Sequence, residues 1–522
     1  MRRFLATLAG ALVLGLSTFA LPAAAAGPPP SVRLFGSEHH ATVTQLGLRV
    51  GAADLGLWVT SVGGNFQIDL RRPNYGAWGA SQVDSVTGAP LRPIPAAMID
   101  PSGGLRRFLS VRFIDSRGRT AAHRLVTFCP NGESARVDDS GSFSQTYPGD
   151  CFSVSAFPFV RGIVWGIDSG WAVTPALSTI PGFGPGGVGG FGPYGGLGPY
   201  GGPPPPLPPG VLKHLRPGGI NLKPGRYEAV VSIAPAYRRL FAIPAQQATV
   251  KLSFRVLVTR VRRPPASVRV VQTAVDQLTR PLQGATVTQP DPSTLPNLVA
   301  APAWAIGVHR AGRRELLTFS ATIWNAGPAP FAIDGFRRPN NNVMDASEYF
   351  FDPLGNVVGK APAGTLFYDN QRGHHHWHLR QLASYTLVAP TGKALLSQKQ
   401  SFCIAPTDTV DLTVPGVNRA SNQFLGIGFG GSVCDLYSPT AIWLREQLPV
   451  GYGDTYQQWV AGQAFDITHV PNGLYRIEVR VNPLGVLHET TTADDLSVRF
   501  LRLSGHGAAR KARVMPWHGI RR

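Results

Sequence analysis

Short apolar runs alternate with turn residues along most of this chain. The runs are rich in Val, Ile, Thr and Tyr and are separated by Gly, Pro and Asn, and Leu382 to Val388 is one example. This pattern is typical of β-strands joined by tight turns, whereas the spacing of an amphipathic helix is hard to find. We therefore predict an all-β protein built from β-sandwich domains.

The chain also repeats itself, and the first anchor of the repeat is a Tyr followed by a strand-like run. Pro235 follows Tyr227 by eight residues in the first half, and Pro483 follows Tyr475 by eight residues in the second half. A Pro and a Gly precede each Tyr. The two halves therefore carry the same local pattern.

A second anchor lies upstream of the first in both halves. Cys129 follows Gly118 by eleven residues, and Cys403 follows Gly392 by eleven residues, with a Phe before each Cys. Two independent anchors in the same order predict a tandem duplication of one β-sandwich. The predicted boundaries are a signal peptide at 1–26, a first β-sandwich at 27–261 with a Gly/Pro-rich insertion at 181–209, a linker at 262–296, a second β-sandwich at 297–504 and a basic, disordered tail at 505–522.

The start of the chain predicts export. Arg2 and Arg3 precede an apolar run that ends in four consecutive Ala residues, which is the order of a secretory signal peptide, with cleavage expected before Gly27. No later stretch approaches the roughly 18 apolar residues of a membrane-spanning helix. We expect a secreted protein, extracellular or attached to the cell surface, without a membrane span.

Composition adds a large positive charge to this picture. The formal net charge is +19, although only 15% of the residues are charged. In an exported protein this charge favours adhesion to anionic cell-wall polymers, and a generally solvated basic surface is the alternative. No nucleic-acid fold motif is found, so specific recognition of nucleic acid is not expected.

The four cysteines predict two disulfides. An even number of Cys in an oxidising compartment is typical of disulfide pairing, and three pairings are possible. The repeat favours the local one, Cys129 with Cys151 and Cys403 with Cys434.

The sharpest candidate chemistry is a cluster of histidines. In an extended segment His374, His376 and His378 share one face, while His375 and Trp377 point to the other. Imidazole suits Cu(II), Zn and Ni, and copper leads in the order of affinity. A His-rich tract can also be a plain surface loop, but four histidines within five residues favour a metal site.

The histidine spacing resembles the copper-binding segment of the lysyl oxidase family, and the resemblance extends over roughly 130 residues. Four segments of the second half carry it in order: His374-x-His376-x-His378, Lys399-Gln400-Ser401-Phe402-Cys403, Asp454-Thr455-Tyr456, and Phe465-Asp466-Ile467-Thr468 through Val481-Asn482-Pro483.

This resemblance implies a function and a cofactor. The three histidines would bind copper, and Lys399 and Tyr456 would be the precursors of a lysine tyrosylquinone cofactor. Asp454 is the first candidate for the general base, with Asp466 and Asp494 behind it. The expected reaction is oxidative deamination of primary amines, with peptidyl lysine among the candidates, to an aldehyde, ammonia and hydrogen peroxide at the expense of dioxygen.

The chain departs from the family in ways that concern the substrate. Arg380 and Gln381 follow the histidines where animal members have acidic residues, and Asp494-Asp495 stands where they have an Asn pair. The second half also has two cysteines where they have many. These differences indicate a bacterial protein whose substrate need not be collagen or elastin.

The first half lacks the residues of the second. By position the three histidines correspond to Asp100, Ser102 and Gly104, the Lys corresponds to Leu125, and the Tyr falls near Gly170. We therefore expect the first copy to be catalytically inert and to serve as a scaffold, an interface or a wall-binding module.

Two alternatives belong to other functional classes. One is a non-catalytic exported copper-binding protein, and the other is a wall-binding adhesion protein with a vestigial histidine cluster. Both Lys399 and Tyr456 are present in the half that has the histidines, which favours the amine oxidase.

Overall fold

The computed structural model describes most of both halves of the chain. The described residues are 28–36, 40–46, 55–132, 134–138, 146–147, 151, 158–175, 222–259, 282–338, 341–370, 376–380, 382–397, 401–417, 434 and 439–520. The predicted signal peptide and the Gly/Pro-rich insertion lie outside them. Within these ranges no helix is long and apolar enough to cross a membrane.

The described part of the first half is made of fourteen strands and one short α-helix, Pro235–Leu240. The strands are β1 (Ser31–Gly36), β2 (His40–Leu46), β3 (Leu57–Val62), β4 (Phe66–Arg71), β5 (Gly79–Val83), β6 (Pro90–Ile94), β7 (Ile99–Asp100), β8 (Gly104–Asp115), β9 (Thr120–Phe128), β10 (Ser134–Arg136), β11 (Gly162–Ile167), β12 (Trp171–Val173), β13 (Gly225–Ile233) and β14 (Thr249–Thr259). Short 3₁₀ turns cover Pro73–Tyr75, Ala96–Met98 and Ala245–Gln247.

The described part of the second half contains seventeen strands. They are β15 (Leu298–Ala300), β16 (Trp304–Ala311), β17 (Arg314–Asn325), β18 (Phe331–Arg337), β19 (Val343–Phe351), β20 (Val357–Asp369), β21 (His376–Arg380), β22 (Ala383–Val388), β23 (Ala394–Leu396), β24 (Ser401–Phe402), β25 (Asp408–Thr409), β26 (Trp443–Leu448), β27 (Tyr452–Tyr456), β28 (Ala464–Asp466), β29 (Gly473–Val481), β30 (Leu496–Ser504) and β31 (Lys511–Val514). Here 3₁₀ turns cover Pro292–Thr294 and Gly507–Ala509.

These strands form six sheets among the described residues, three in each half. The first half has the orders β1-β3-β12-β10, β11-β4-β5-β6 and β2-β14-β13-β8-β7, with β9 on β8. The second half has β15-β17-β27-β25 with β16 and β28 on β17, then β24-β21-β20-β19-β18-β26, and β23-β22-β29-β30-β31. Every paired strand is antiparallel to its neighbour except β2, which runs parallel to β14. The predicted all-β fold is confirmed.

Alternation along the strands explains the burial. On β13 the side chains of Ala229, Val231 and Ile233 are buried, whereas Arg226 is exposed on the opposite face. Such a strand can cover one face of an apolar core and leave the other to water. Each half has one large apolar cluster of this kind.

The two halves share strand register as well as sequence. Glu228 of β13 pairs with Ile114 of β8, and at the corresponding positions Arg476 of β29 pairs with Val388 of β22. Near the start of each central strand a Tyr hydroxyl donates a hydrogen bond to the carbonyl four residues earlier, at 2.9 Å in both halves. A duplication requires this agreement.

Both predicted disulfides are present. Cys129 is bonded to Cys151, and Cys403 is bonded to Cys434. The first closes a loop of the first half and the second closes a loop of the second half, so the local pairing is confirmed. A disulfide of this kind stabilises the fold mainly by restricting the unfolded chain.

The prediction of a disordered tail is wrong for residues 505–520. Lys511–Val514 forms β31, which pairs antiparallel with β30. Lys511 and Arg513 are exposed, while Ala512 packs against the core of the second half. The basic residues that resembled a disordered tail are therefore the outward positions of an edge strand, where Lys and Arg are common.

Candidate functional site

Two of the three predicted metal ligands lie at the start of β21. His376 pairs with Asp369 of β20, and His378 pairs with Phe367 two positions along. Both histidines are buried, and their ring centroids are 4.6 Å apart. They therefore share one face of the strand, as the alternation predicts, while His374 lies outside the described residues.

The orientation of His378 is fixed by polar neighbours. Its Nδ1 lies 3.2 Å from the hydroxyl of Ser401 and 3.5 Å from a carboxylate oxygen of Asp369. The ring of Phe367 meets its edge at 5.7 Å. A carboxylate beside one imidazole nitrogen directs a metal to the other nitrogen, Nε2, and raises the basicity of the ligand.

Trp377 occupies the opposite face of β21. Its side chain is fully buried, the ring of Tyr368 meets it at 5.7 Å, and the guanidinium of Arg337 lies 5.4 Å from its ring centre. This residue therefore packs one face of β21 into the apolar cluster of the second half, while the buried histidines occupy the other face.

Tyr456, the proposed cofactor precursor, ends β27 on the neighbouring sheet. Its hydroxyl accepts a hydrogen bond from the backbone N–H of Cys403 at 2.8 Å and donates one to the carbonyl of the same residue at 3.3 Å. The ring of Phe402 meets the Tyr456 ring edge-on at 4.7 Å. The tyrosine is thus buried against the segment that carries the disulfide.

The histidine and the tyrosine converge on one short segment. His378 contacts Ser401, and Tyr456 contacts Cys403, only two residues further along. Two residues of extended chain span about 7 Å. Lys399 lies outside the described residues, but it precedes Ser401 by two positions in the same segment.

Buried carboxylates surround the strand of Tyr456. Asp454 lies on the same face of β27 and accepts a hydrogen bond from the Thr407 hydroxyl at 3.2 Å. Burial raises the pKa of Asp408 well above its usual value, and the charge of Asp454 raises it further. The pKa of Glu446 is raised for the same two reasons.

Sequence reasoning missed Asp408 and Glu446 because each is a single acid in an ordinary strand-like run. Asp408 accepts a hydrogen bond from the Thr455 hydroxyl, and Glu446 accepts one from the Ile404 N–H at 3.2 Å. Only the pairing of distant strands brings them beside Asp454. No local pattern could have indicated this.

The other two candidate bases are placed elsewhere. Asp466 is exposed and accepts hydrogen bonds from Thr468, which lower its pKa, as in a turn. Asp494 accepts a hydrogen bond from the side-chain amide of Asn297 at 3.0 Å. Neither contact involves the histidines or Tyr456, whereas Asp454 lies two residues before Tyr456 on the same face of β27.

A further buried acid, Glu348, lies on β19. One of its carboxylate oxygens is 2.5 Å from Nδ1 of His488, and the backbone N–H of His488 donates to the same carboxylate at 3.1 Å. Burial raises the pKa of Glu348 to about 8. This pair joins β19 to the loop that follows β29.

The matching positions of the first half have structural roles. Asp100 accepts hydrogen bonds from the backbone N–H and the hydroxyl of Ser102 at 3.2 and 2.9 Å, which closes a turn. Gly104 has a φ of +110° and lies against the backbone of Phe128, with no space for a side chain. Leu125 is exposed.

The imidazoles of His376 and His378 are of a chemical type that can bind a copper ion. Two buried imidazoles this close together can bind one metal at about 2 Å from each nitrogen, and imidazole is a good ligand for Cu(II). Within the described residues, which include only two of the three predicted histidines, no group of three His, Cys, Asp or Glu side chains is arranged to hold a metal.

Comparison with known proteins gives no family. A scan against protein-family models finds no match, and a search of curated proteins finds none at a significant level.

Proposed function

We propose that this chain is a secreted copper-dependent amine oxidase of the lysyl oxidase type. The observation that supports it most is the convergence of His378 and Tyr456 on Ser401 to Cys403, next to Lys399 in sequence. A copper-storage protein would need the histidines alone. The two disulfides fit an oxidising compartment.

The residues of the proposed site have separate tasks. His374, His376 and His378 would hold the copper ion, and Asp369 and Ser401 would orient His378. Lys399 and Tyr456 would form the quinone cofactor. When both are in place, copper and the quinone supply the redox chemistry by which two electrons pass from a primary amine to dioxygen.

Asp454 is proposed to hold the proton that leaves the α-carbon of the amine. Burial and the charge of Asp454 raise the pKa values of its neighbours Asp408 and Glu446. Asp454 lies on the same face of β27 as Tyr456, so it is the carboxylate of this cluster that we propose as the base. In total, an amine, dioxygen and water give an aldehyde, ammonia and hydrogen peroxide.

Copper content and absorbance of purified full-length protein test this proposal. We expect His376→Ala to lose copper and quinone absorbance together, and Lys399→Ala to keep copper but lose the absorbance. The control is Ser102→Ala, at the matching position of the first half, which should change neither. Full copper occupancy in His376→Ala, or a quinone in Lys399→Ala, contradicts the assignment.

We also propose that the basic surface attaches the protein to anionic cell-wall polymers. On the outer face of the first half, Arg112 and Lys251 flank Val230 on either side, and Arg226 lies opposite Arg255. All four cationic side chains are exposed. Binding to polyphosphate should weaken steeply as salt is added; binding that is insensitive to salt contradicts this attachment.

A further inference from the structure

An edge strand of the first half forms hydrogen bonds with the second half. The backbone N–H groups of Arg161 and Gly162 donate to the carbonyl of Val410 at 2.6 and 3.3 Å. In return, the N–H of Leu412 donates to the carbonyl of Gly162 at 3.0 Å. The start of β11 thus runs alongside residues 410–412 in parallel, as one strand beside another.

The other side of residues 410–412 faces the strand of Tyr456. The N–H groups of Val410 and Asp411 both donate to the carbonyl of Gly451 at 2.9 Å, and Asp408 of β25 pairs with Gly453 of β27. The first half is therefore separated from β27 by a single segment of chain. That segment continues from Cys403, the hydrogen-bond partner of Tyr456.

Side chains at this contact are closely matched. A Cβ on Gly162 would overlap the carboxylate of Asp411 and approach the hydroxyl of Thr413. Tyr147 and Val164 of the first half belong to the apolar cluster of the second half. The two halves therefore pack closely against each other at this contact, and only a glycine fits at position 162 without displacing a neighbour.

A second contact joins the first half to the end of the chain. The ring of Trp517 lies 5.3 Å from that of Tyr75 and 5.7 Å from that of Phe159. Phe159 also packs with Trp304 and Ile520 in a small apolar cluster. Two separate contacts of this kind fix the first half against the second.

We propose that the first half is a positioning element of the candidate site. By pairing with residues 410–412, β11 holds the segment from Cys403 to Asp411 in register with β27, and that register sets where the Tyr456 hydroxyl lies. This inference rests on the proposed function, because its consequence is that the quinone forms only when the first half is docked against the second. The first copy has no histidine at the matching positions, and its edge strand acts on the site of the second.

The test uses the full-length chain and a substitution that disturbs only this contact. Gly162→Ala introduces the overlap with Asp411 and a close approach to the Thr413 hydroxyl. Asp411→Ala in the same chain removes the overlap and also removes the hydrogen bond that holds the Thr413 hydroxyl in place, so this hydroxyl can turn away. Gly79→Ala is the matched control, because its Cβ would lie 3.8 Å from the nearest atom, a carbonyl oxygen of Arg71. Hydrogen exchange, copper affinity and the yield of covalent Lys399–Tyr456 linkage are measured for each variant in copper-replete medium.

For Gly162→Ala we expect exchange at the amides of Asp411, Leu412 and Cys403 to rise by about tenfold or more, because the Cys403 N–H donates to the Tyr456 hydroxyl. The yield of the Lys399–Tyr456 linkage should fall to about one fifth of the wild-type value or less. Copper affinity should stay within about twofold of the wild-type value, because the histidines lie on another sheet. The double variant should restore exchange and linkage, and Gly79→Ala should match the wild type. If the single variant fails to fold, folding of the double variant supports the proposal, and failure of both contradicts it.

Several results overturn the positioning role. Unchanged exchange at the Cys403 amide in Gly162→Ala contradicts it, and so does full linkage despite fast exchange. A wild-type chain that forms no linkage contradicts the proposed function instead. In that case exchange at the Cys403 amide decides the positioning role alone. Fast exchange in Gly162→Ala that Asp411→Ala reverses supports the role, and slow exchange contradicts it.

Discussion

The two halves of this molecule share a scaffold and differ in what they bury. Both have the same register between the central strands, the same Tyr hydrogen bond and one local disulfide. The second half has two buried histidines where the first has Ser102 and Gly104. The shared strand register, Tyr hydrogen bond and disulfide therefore form without the histidines. These shared features alone do not provide the residues of a metal site.

Buried acids show the same contrast. In the first half Asp69 accepts a hydrogen bond from the side-chain amide of Gln67 at 2.8 Å and forms an ion pair with Arg71 at 3.1 Å. In the second half Asp454 lies near two further acids, Asp408 and Glu446. Burying like charges costs stability unless protons are shared. Such an arrangement is typical of a functional site.

The largest expected effect separates the candidate base from the other acids. Asp454→Asn should lower kcat for a primary amine by about 10²- to 10⁴-fold, while copper and the quinone remain. Hydrogen peroxide release under saturating amine measures this effect. Asp466→Asn is the control and should leave the rate unchanged, because Asp466 is an exposed residue at the end of β28. Loss of activity in the control with retention in Asp454→Asn would reverse the assignment.

A smaller effect is expected on copper affinity, which allows positions of the two halves to be compared directly. Asp369→Asn should weaken copper binding by about 10- to 100-fold, since the carboxylate orients His378. Asp100→Asn changes the position of the first half that matches His374 and should leave the affinity as it is. Titration with a competing chelator measures both. Equal affinities for the two variants would show that Asp369 has no part in the site.

The smallest effect concerns stability and pH. The unfolded Glu348 carboxyl loses its proton near its usual pKa of 4.5, whereas in the folded protein it keeps the proton until about pH 8. The folded state therefore loses stability as pH rises between these two values, by about 1.4 kcal/mol per pH unit at most. Glu348→Gln should remove this slope in chemical denaturation curves at pH 5 and pH 8. A slope that persists in the variant would place its origin elsewhere.

Local pattern was enough to predict much of the fold. Alternating apolar positions predicted strands such as β13, and the Cys spacing within the repeat predicted both disulfides. The edge strand β31 was missed because four residues with two cations give too little alternation to distinguish it from a charged tail. A strand that short is recognised only by its neighbour.

The candidate site was predictable where its residues are adjacent in sequence. His376 and His378 share a face because strand geometry requires it. The burial of Asp408 and Glu446, and the contact of Gly162 with Asp411, depend on strands that are far apart in the chain. These non-local pairings have no signature in a local pattern.

Peptide mass spectrometry of the secreted, copper-replete protein tests the central claim most directly. The account predicts a single cross-linked species that contains the peptides of Lys399 and Tyr456. Full copper occupancy with the two peptides recovered separately would contradict it, and would favour a copper-binding protein without catalytic activity.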